Sequence, residues 1–563
     1  MTRKLRKLFQ RRSSLHEIDP DEIFLDSHNI PQFDTDQFEG RIDRPISRMS
    51  LIMTLLAFAL ILCVYLSRVW DLQVVKGADF NQKSENNRLR HSPIFAARGV
   101  IYDRNNVELG WNAPGDDADV SLRKYKNIPG LAHVLGYVRY PSKDSSGFYY
   151  REDFEGVDGV EKYFNDKLRG TNGLKLIEVD AHGKVQSENG IQAPKEGENI
   201  ALSIDSRVQS ELHAAIKHIA ESVGFNGGGG IIMDVHTGEV IAMTSYPEFD
   251  PQIMSDRADK TLITKYLTDK NTPFLDRVID GLYTPGSIVK PYVALGALKE
   301  NIIDPNTNIL GTAYISIKNQ YDPTQETLFR DWKAQGLVDM RKAIAVSSDV
   351  YFYEIGGGYK DQKGLGIAKL DHYFQLFGFG EQIKDSFFTG GSGFIPTPEL
   401  KAKQFNGESW RLGDTYHTAI GQYSFQVTPI QMVRAVASIA NNGALLNPTI
   451  LKDQQGSVER QLDIPASDFE VIREGMRKGA LEGTGVSLNV PYVHMATKSG
   501  TAELGVTKEN VNSWMTGFFP YENPRYAFAV VLERGSRHNL IGAGAAMRET
   551  IDWMSKNTPE YFK

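Results

Sequence analysis

Apolar and polar positions divide the chain into one unbroken hydrophobic run and a long remainder patterned at strand or helix spacing. The run is Met49 to Ser67, MSLIMTLLAFALILCVYLS, 19 residues without a charge. As a helix at about 1.5 Å per residue it measures about 28 Å, close to the ~30 Å hydrocarbon core of a bilayer. Arg41, Arg44 and Arg48 precede it, and Arg3, Lys4, Arg6, Lys7, Arg11 and Arg12 add positive charge further upstream. The positive-inside rule then keeps residues 1–48 cytoplasmic and exports everything after the span. No small-x-small cleavage site follows, so the pattern predicts an uncleaved anchor over 49–69, not a signal peptide. No later stretch is long and apolar enough to cross again, which predicts a single-pass protein. Residues 13–43 are polar with acids interspersed and are expected to form a flexible cytoplasmic tail.

Beyond the anchor the period changes twice. Residues 70–200 alternate short strand-like runs with polar turns, as in RGVIYDRNNVELGWN (98–112) and GLKLIEVDAHGKVQ (173–186). NIALSID (199–205) reads as a strand leading into 206–223, where Val208, Leu212, Ile216 and Ile219 fall at helical spacing. Gly227–Gly230 lack a following Lys-Ser/Thr and read as a turn, not a phosphate loop. IIMDVHTGEVIAMTSY (231–246) is two strand runs about a His-Thr-Gly turn, a hairpin. A mostly-β block over 70–200 and a mixed α+β block over 201–563 follow from these patterns. Charge narrows the partners: 63 Lys+Arg against 70 Asp+Glu give a net −7, which argues against a nucleic-acid binder. The only cysteine, Cys63, lies in the anchor, so an intrachain disulfide or Cys-cluster zinc site is excluded.

Three short motifs carry chemistry. In Tyr283-Thr-Pro-Gly-Ser287-Ile-Val-Lys290-Pro, a Pro-Gly turn feeds an apolar helix, putting a serine and a lysine on one face. A serine hydroxyl is a poor nucleophile until a base takes its proton, and a buried lysine is one such base. Ser347-Ser348-Asp349 lies between helix-like segments, and Lys498-Ser499-Gly500-Thr501 follows a strand-like run. Each has a bland reading: a capped surface helix for the first two, an ordinary strand end for the third. The order S-x-x-K, S-x-D, K-S-G outside a membrane overrides these, because it tracks the S-x-x-K, S-D-N, K-T-G set of penicillin-binding enzymes.

On these residues the chain resembles a class B penicillin-binding protein, closest to the penicillin-binding protein 2 type of the rod-elongation machinery. Arg98-Gly99 with Asp103-Arg104-Asn105, HVLGYV (133–138) and GVDGVEKYFNDKLRGTNG (156–173) are similar to pedestal signatures of that family. LSIDSRVQ (202–209), MDVHTGEVIAM (233–243) and IGQYSFQVTPIQ (420–431) continue the resemblance, and FRDWK (329–333) points to the elongation type. The resemblance implies an N-terminal transmembrane helix, an elongated mostly-β pedestal of the dimerisation type over 70–200, and a transpeptidase domain over 201–563. That domain would be an antiparallel sheet flanked by helices, as in serine β-lactamases. Pedestal motifs begin at Arg98, leaving no room for a glycosyltransferase domain.

The implied activity is peptidoglycan D,D-transpeptidation during cell-wall elongation, with β-lactams as inhibitors. Ser287 would attack the stem-peptide carbonyl with Lys290 as base, and Ser347 would relay the proton to the leaving D-alanine. Asp349, at the family's asparagine position, would orient Lys290 or the substrate amide, and as a carboxylate it could hold Lys290 charged. Lys498 would supply positive potential, Ser499, Gly500 and Thr501 would bind the substrate's carboxylate end, and the N–H groups of Ser287 and Thr501 would form the oxyanion hole. Neither cofactor nor metal is implied, since a reported cysteine-containing metal site has no exported cysteine to use. The implied partners are a SEDS-family glycan polymerase and a rod-complex scaffold protein, with the catalytic part outside the inner (cytoplasmic) membrane.

Two departures and two rivals bear on this reading. Pro398-Glu399-Leu400-Lys401 resembles a β-lactamase deacylation loop, but Ala402 replaces its asparagine, so it is expected to be a structural loop. SFFTGGSGFIPTPE (386–399) is expected to rim the acceptor side of the cleft. A D,D-carboxypeptidase or β-lactamase-type hydrolase would use the same nucleophile. A non-catalytic scaffold or sensor would keep only the pocket's shape.

Overall fold

The computed structural model describes residues 47–80, 89–115, 120–145, 149–179, 185–318, 322 and 324–563. The tail expected over 1–48 lies outside these residues except for its last two positions. The chain divides between Asn87 and Arg88 into two units. In the first, helix α1 (Arg48–Trp70) is capped by the Ser47 hydroxyl, which accepts from the Ser50 N–H at 3.0 Å. A π-helical turn (Asp71–Val75) extends it. The whole stretch is long and apolar enough to cross a membrane.

The second unit begins with small sheets. Strand β1 (Leu89–Ile94) lies in a three-stranded sheet; β2 (Ile101–Tyr102), β3 (Glu108–Ala113) and β4 (Leu122–Tyr125) make most of a four-stranded one. Strands β5 (Gly173–Val179) and β6 (Val185–Gln192) complete the first sheet. The expected strand over 199–205 shrinks to β7 (Ile200–Ala201), which pairs parallel with β2. Under these sheets Arg98 and Arg123 both bind Glu161, at 2.6 and 2.7 Å, with all three side chains fully buried.

The chain then enters helix α2 (Ser206–Val223), at the predicted position, with Asp205 accepting from the Arg207 N–H as its cap. Asp103 from the small sheets accepts from the Ser206 N–H and hydroxyl at 3.2 and 2.7 Å. Glu248 returns the contact, accepting from the Gly130 and Ala132 N–H groups at 2.7 and 3.0 Å. Burial of that carboxyl pushes its pKa up to about 7.

The predicted hairpin forms as β8 (Gly227–Asp234) and β9 (Val240–Tyr246), antiparallel. Gly227–Gly230, expected as a turn, are instead fully buried strand residues. A Cβ at Gly228 would lie 2.5 Å from the Val531 carbonyl, and one at Gly230 would lie 2.9 Å from Ile216. Glycine is there to let α2 and the neighbouring strand approach closely.

Helix α3 (Lys290–Lys299) is buried from Lys290 to Leu298, as an all-round apolar helix must be. Helices α4 (Met340–Val346) and α5 (Asp349–Gly357) follow, with α6 (Pro429–Ala440) buried along its whole length and α7 (Ala466–Glu482) against α4. Strands β10 (Ala496–Leu504), β11 (Asn510–Phe519) and β12 (Tyr526–Ser536) complete a five-stranded sheet in the order β9-β8-β12-β11-β10, and α8 (Ala543–Asn557) closes the fold.

This sheet is covered on both faces. Along β12, Phe528, Val530 and Leu532 pack with α2 and α8, while Ala527, Ala529 and Val531 join the core containing α3 and α6. The two-residue period of a strand assigns alternate side chains to the two cores. Strand β10 is an edge, and its outer side is free to face a cleft.

Candidate active site

The cleft forms where the edge strand β10 meets the start of α3 and the α4–α5 junction. Residues Gly286–Val289 make one turn of 3₁₀ helix before α3 begins at Lys290, so Ser287 sits just ahead of the α-helix proper. Lys290 follows three residues on, so the serine and the lysine stand one turn apart at this junction. Gly286 adopts φ +60°, and a Cβ there would lie 3.0 Å from the Thr501 carbonyl. Glycine at 286 is therefore what lets the serine turn approach β10.

Ser347 and Ser348 occupy the two-residue break between α4 and α5. Ser347 is the C-cap of α4 in the left-handed region (φ 58°, ψ 41°); Ser348 is the N-cap of α5 and accepts from the Tyr351 N–H. Of the two, only Ser348 caps with its side chain. Lys290 Nζ donates to the Ser347 carbonyl at 2.8 Å and Asp349 Oδ1 at 2.6 Å, and lies 3.4 Å from Ser347 Oγ. Lys498 Nζ lies 2.8 Å from Ser347 Oγ and donates to the Ser499 carbonyl at 2.8 Å. Ser347 Oγ therefore bridges the two lysine amines.

Both lysines are buried, yet their settings differ. Lys290 forms an ion pair with Asp349. The two hydrogen bonds of Lys498 go to a hydroxyl and a carbonyl. Burial, reinforced by the Lys290 charge and opposed by Asp349, holds the Lys498 ammonium well below the ordinary lysine range.

All eight residues singled out by the sequence meet here. Ser287, Ser347, Asp349, Ser499, Gly500 and Thr501 line one cleft of about 670 Å³, and Lys290 and Lys498 form its floor through Ser347. Sequence reasoning missed several wall residues. Thr484 pairs with the Ser499 hydroxyl at 2.6 Å, its only signal being the flanking Gly483 and Gly485. Trp332, Ser513, Arg537 and Ile541 also line the cleft.

Two local expectations are corrected. None of residues 386–399 lines this cleft; the segment packs beside it, where the Gly391 N–H donates to the Ile279 carbonyl and Phe394 pairs with Gln426. Its turn formers serve that packing. Pro398–Lys401 opens a short helix, not a loop, because Thr397 caps it and proline suits a first helical turn. Lys401 is buried there against Asp414 at 2.7 Å.

Comparison with known proteins agrees with this architecture. The penicillin binding protein transpeptidase domain family matches residues 228–552, and the penicillin-binding protein dimerisation domain matches residues 118–202. The chain is 32% identical over 469 residues to peptidoglycan D,D-transpeptidase MrdA of Salmonella typhimurium strain SL1344, covering 76% of this chain and 72% of that one. Pseudomonas aeruginosa PBP2 in complex with WCK 5153 has a similar fold, with TM-score 0.68, 27% identity and coverage of 83% and 97%. The complex between PBP2 and MreC from Helicobacter pylori is alike at TM-score 0.68, 25% identity and coverage of 84% and 100%. A transpeptidase match through more than half the sequence, joined to a fold shared over most of it, makes the chain a class B penicillin-binding protein of the penicillin-binding protein 2 (MrdA) type.

Proposed function

We propose that the chain is a peptidoglycan D,D-transpeptidase that cross-links stem peptides through an acyl-enzyme on Ser287. The observation that carries this is the Ser347 hydroxyl held between two buried lysine amines in the cleft that contains Ser287. Such a relay has no purpose in a capped surface helix and a clear one in moving a serine proton.

Ser287 Oγ attacks the carbonyl between the two terminal D-alanines of a donor stem peptide. The Lys290 ammonium first passes a proton through Ser347 Oγ to neutral Lys498, and the Lys290 amine so freed takes the Ser287 proton. Lys498 is the amine that burial keeps ready to accept the first of these protons. This gives Lys498 a different part from the fixed positive charge expected of it. When the tetrahedral intermediate collapses, the C–N bond breaks and the Ser347 hydroxyl protonates the departing D-alanine, refilled from Lys498. The N–H groups of Ser287 and Thr501 hold the oxyanion, and Ser499 and Thr501 receive the terminal carboxylate. An amine of a second stem peptide then displaces Ser287. Asp349 fixes Lys290 for the first step by its 2.6 Å ion pair.

The apolar α1 supports a single-pass anchor with the catalytic unit outside the inner membrane, where cross-linking takes place. The likeness to a PBP2–MreC complex supports a rod-complex scaffold as a partner, and a SEDS-family polymerase is the partner proposed for the anchor.

Intact-protein mass spectrometry after exposure to benzylpenicillin tests the proposal. The wild-type chain should gain the drug's mass stably, and Ser287→Ala should gain nothing. Rapid return to the free mass with drug consumed would instead assign a hydrolase.

A further inference from the structure

The left-handed backbone of Ser347 demands an explanation that the relay itself does not supply. Non-glycine residues persist in that region only where their surroundings over-determine them. Here the conformation aims the Ser347 carbonyl at Lys290 and its hydroxyl at Lys498, both at 2.8 Å. A relaxed residue 347 would continue α4 and turn both groups away.

Two consecutive residues hold this point from outside. Asp331 Oδ2 accepts from the Ser348 hydroxyl at 2.8 Å and from the Val350 N–H at 3.1 Å. Trp332 Nε1 donates to the Val346 carbonyl at 3.1 Å. Residue 332 thus grips the last position before Ser347, and residue 331 grips the positions on either side of Asp349.

The support for both is stiff. Asp331 and Trp332 lie between strand segments Glu326–Arg330 and Gly336–Val338, whose partners are Tyr314–Lys318 and Ile309–Gly311. Their inner positions Ile309, Ile315, Phe329 and Val338 are buried. The Asp331 N–H donates to the Ala313 carbonyl and the Gln335 N–H to the Gly311 carbonyl, tying down both ends of the connection between them.

We propose that Asp331 and Trp332 form a clamp that holds Ser347 in its left-handed conformation, as positioning residues for the acyl transfer at Ser287. The inference rests on the transpeptidase reading above. Asp331 acts through one oxygen only: Oδ1 is buried and makes no hydrogen bond. An asparagine whose amide oxygen takes the place of Oδ2 keeps both accepted hydrogen bonds. Alanine keeps neither. The clamp therefore predicts that the acceptor atom matters more than the charge.

The test is stopped-flow acylation by a fluorescent penicillin, resolved into the binding constant K and the acylation constant k2, with melting temperatures measured alongside. Asp331→Ala should lower k2 about 30- to 100-fold with K changed less than about threefold, as expected for a displaced relay in an intact cleft. Asp331→Asn should recover most of that loss, to within about fivefold of wild type. Trp332→Phe keeps the ring and loses the N–H, and should lower k2 about five- to tenfold.

Asp331→Asn as impaired as Asp331→Ala would overturn the clamp in favour of a charge effect. So would folded Asp331→Ala or Trp332→Phe chains whose k2 stays within about twofold of wild type. If Asp331→Ala does not fold, Trp332→Phe decides by the same criterion. A wild-type chain that never acylates would sink the transpeptidase reading, and the clamp with it; a reactive wild type beside unaffected variants would sink the clamp alone.

Discussion

Two clusters of buried charge in the second unit are built on opposite plans. Near the small sheets, Glu161 binds Arg98 and Arg123, and Arg98 also donates to the Glu161 carbonyl and Asn165 Oδ1. Burial alone would raise the Glu161 carboxyl, but Arg123 and Arg98 hold it below its ordinary value. Arginines stay charged at any relevant pH, so this knot has nothing to titrate near neutrality. In the cleft the cations are lysines, and the carboxylate Asp349 pairs with Lys290, while Lys498 has a hydroxyl and a carbonyl. The first arrangement locks a fold. The second leaves one amine free to change its protonation, and that difference separates structural from chemical use of buried charge.

Removing the amine should have the largest effect of any change in this comparison. Lys498→Met is expected to lower the acylation constant by about 10³-fold, within the range for loss of a proton-transfer group. The same change should not destabilise the fold, because replacing a desolvated cation with an apolar side chain is often neutral or stabilising. The native state of the wild type binds fewer protons at Lys498 than the unfolded chain does. Stability therefore rises with pH through the window between its lowered value and the ordinary lysine value near about 10.4. Urea unfolding across that window should show the stability gain of Lys498→Met greatest at lower pH and vanishing at the top. A uniform loss of stability would place Lys498 with the structural charges.

The other cluster should respond in the reverse manner. Glu161→Gln leaves two buried guanidinium groups facing a neutral amide and is expected to cost about 3–5 kcal/mol of stability. Its acylation constant, measured on the folded fraction, should match wild type. The ion-pair contribution is fully present above an ordinary carboxyl value of about 4.3, and it is lost as pH falls through the lower native value. Glu161→Gln and wild type should therefore converge in stability only in strong acid. Convergence near neutrality would mean that the arginines do not hold the carboxylate as described.

How legible each cluster was in the sequence follows from how local its geometry is. Ser287 and Lys290 lie three apart at the start of α3, so their common face could be read directly. Helix α2 announced itself by Val208, Leu212, Ile216 and Ile219 at one face. Ser347, Asp349 and Lys498 were found by motif order, since nothing in their local pattern distinguishes them from a cap and a strand end. Gly227–Gly230 misled because glycine marks both turns and close packing, and only the long-range approach of Ile216 and Val531 decides between them. Arg98 and Glu161 fall in stretches that resemble pedestal signatures, but their burial with Arg123 was not legible, since it depends on Glu161 arriving from a separate segment. FRDWK marked Asp331 and Trp332 by resemblance alone; their contacts, like those of Thr484, are products of chain crossings that no spacing along the sequence encodes.

The smallest predicted change sharpens the assignment of the titrating group within the cleft. Asp349→Asn replaces the carboxylate 2.6 Å from Lys290 with an amide. An amide can still accept from Lys290, so k2 at neutral pH should fall by less than about tenfold. The pH profile should move as well. Asp349 favours the charged form of Lys498, against burial and the Lys290 charge. Without that carboxylate the ammonium is less stable, and Lys498 gives up its proton at still lower pH. Acylation requires the neutral amine, so k2 should fall as acid protonates Lys498. In Asp349→Asn that falling limb should lie at lower pH than in wild type. A limb that moves toward higher pH, or does not move, would assign the titration to a group that Asp349 does not reach, and Lys498 would lose its place as the proton acceptor.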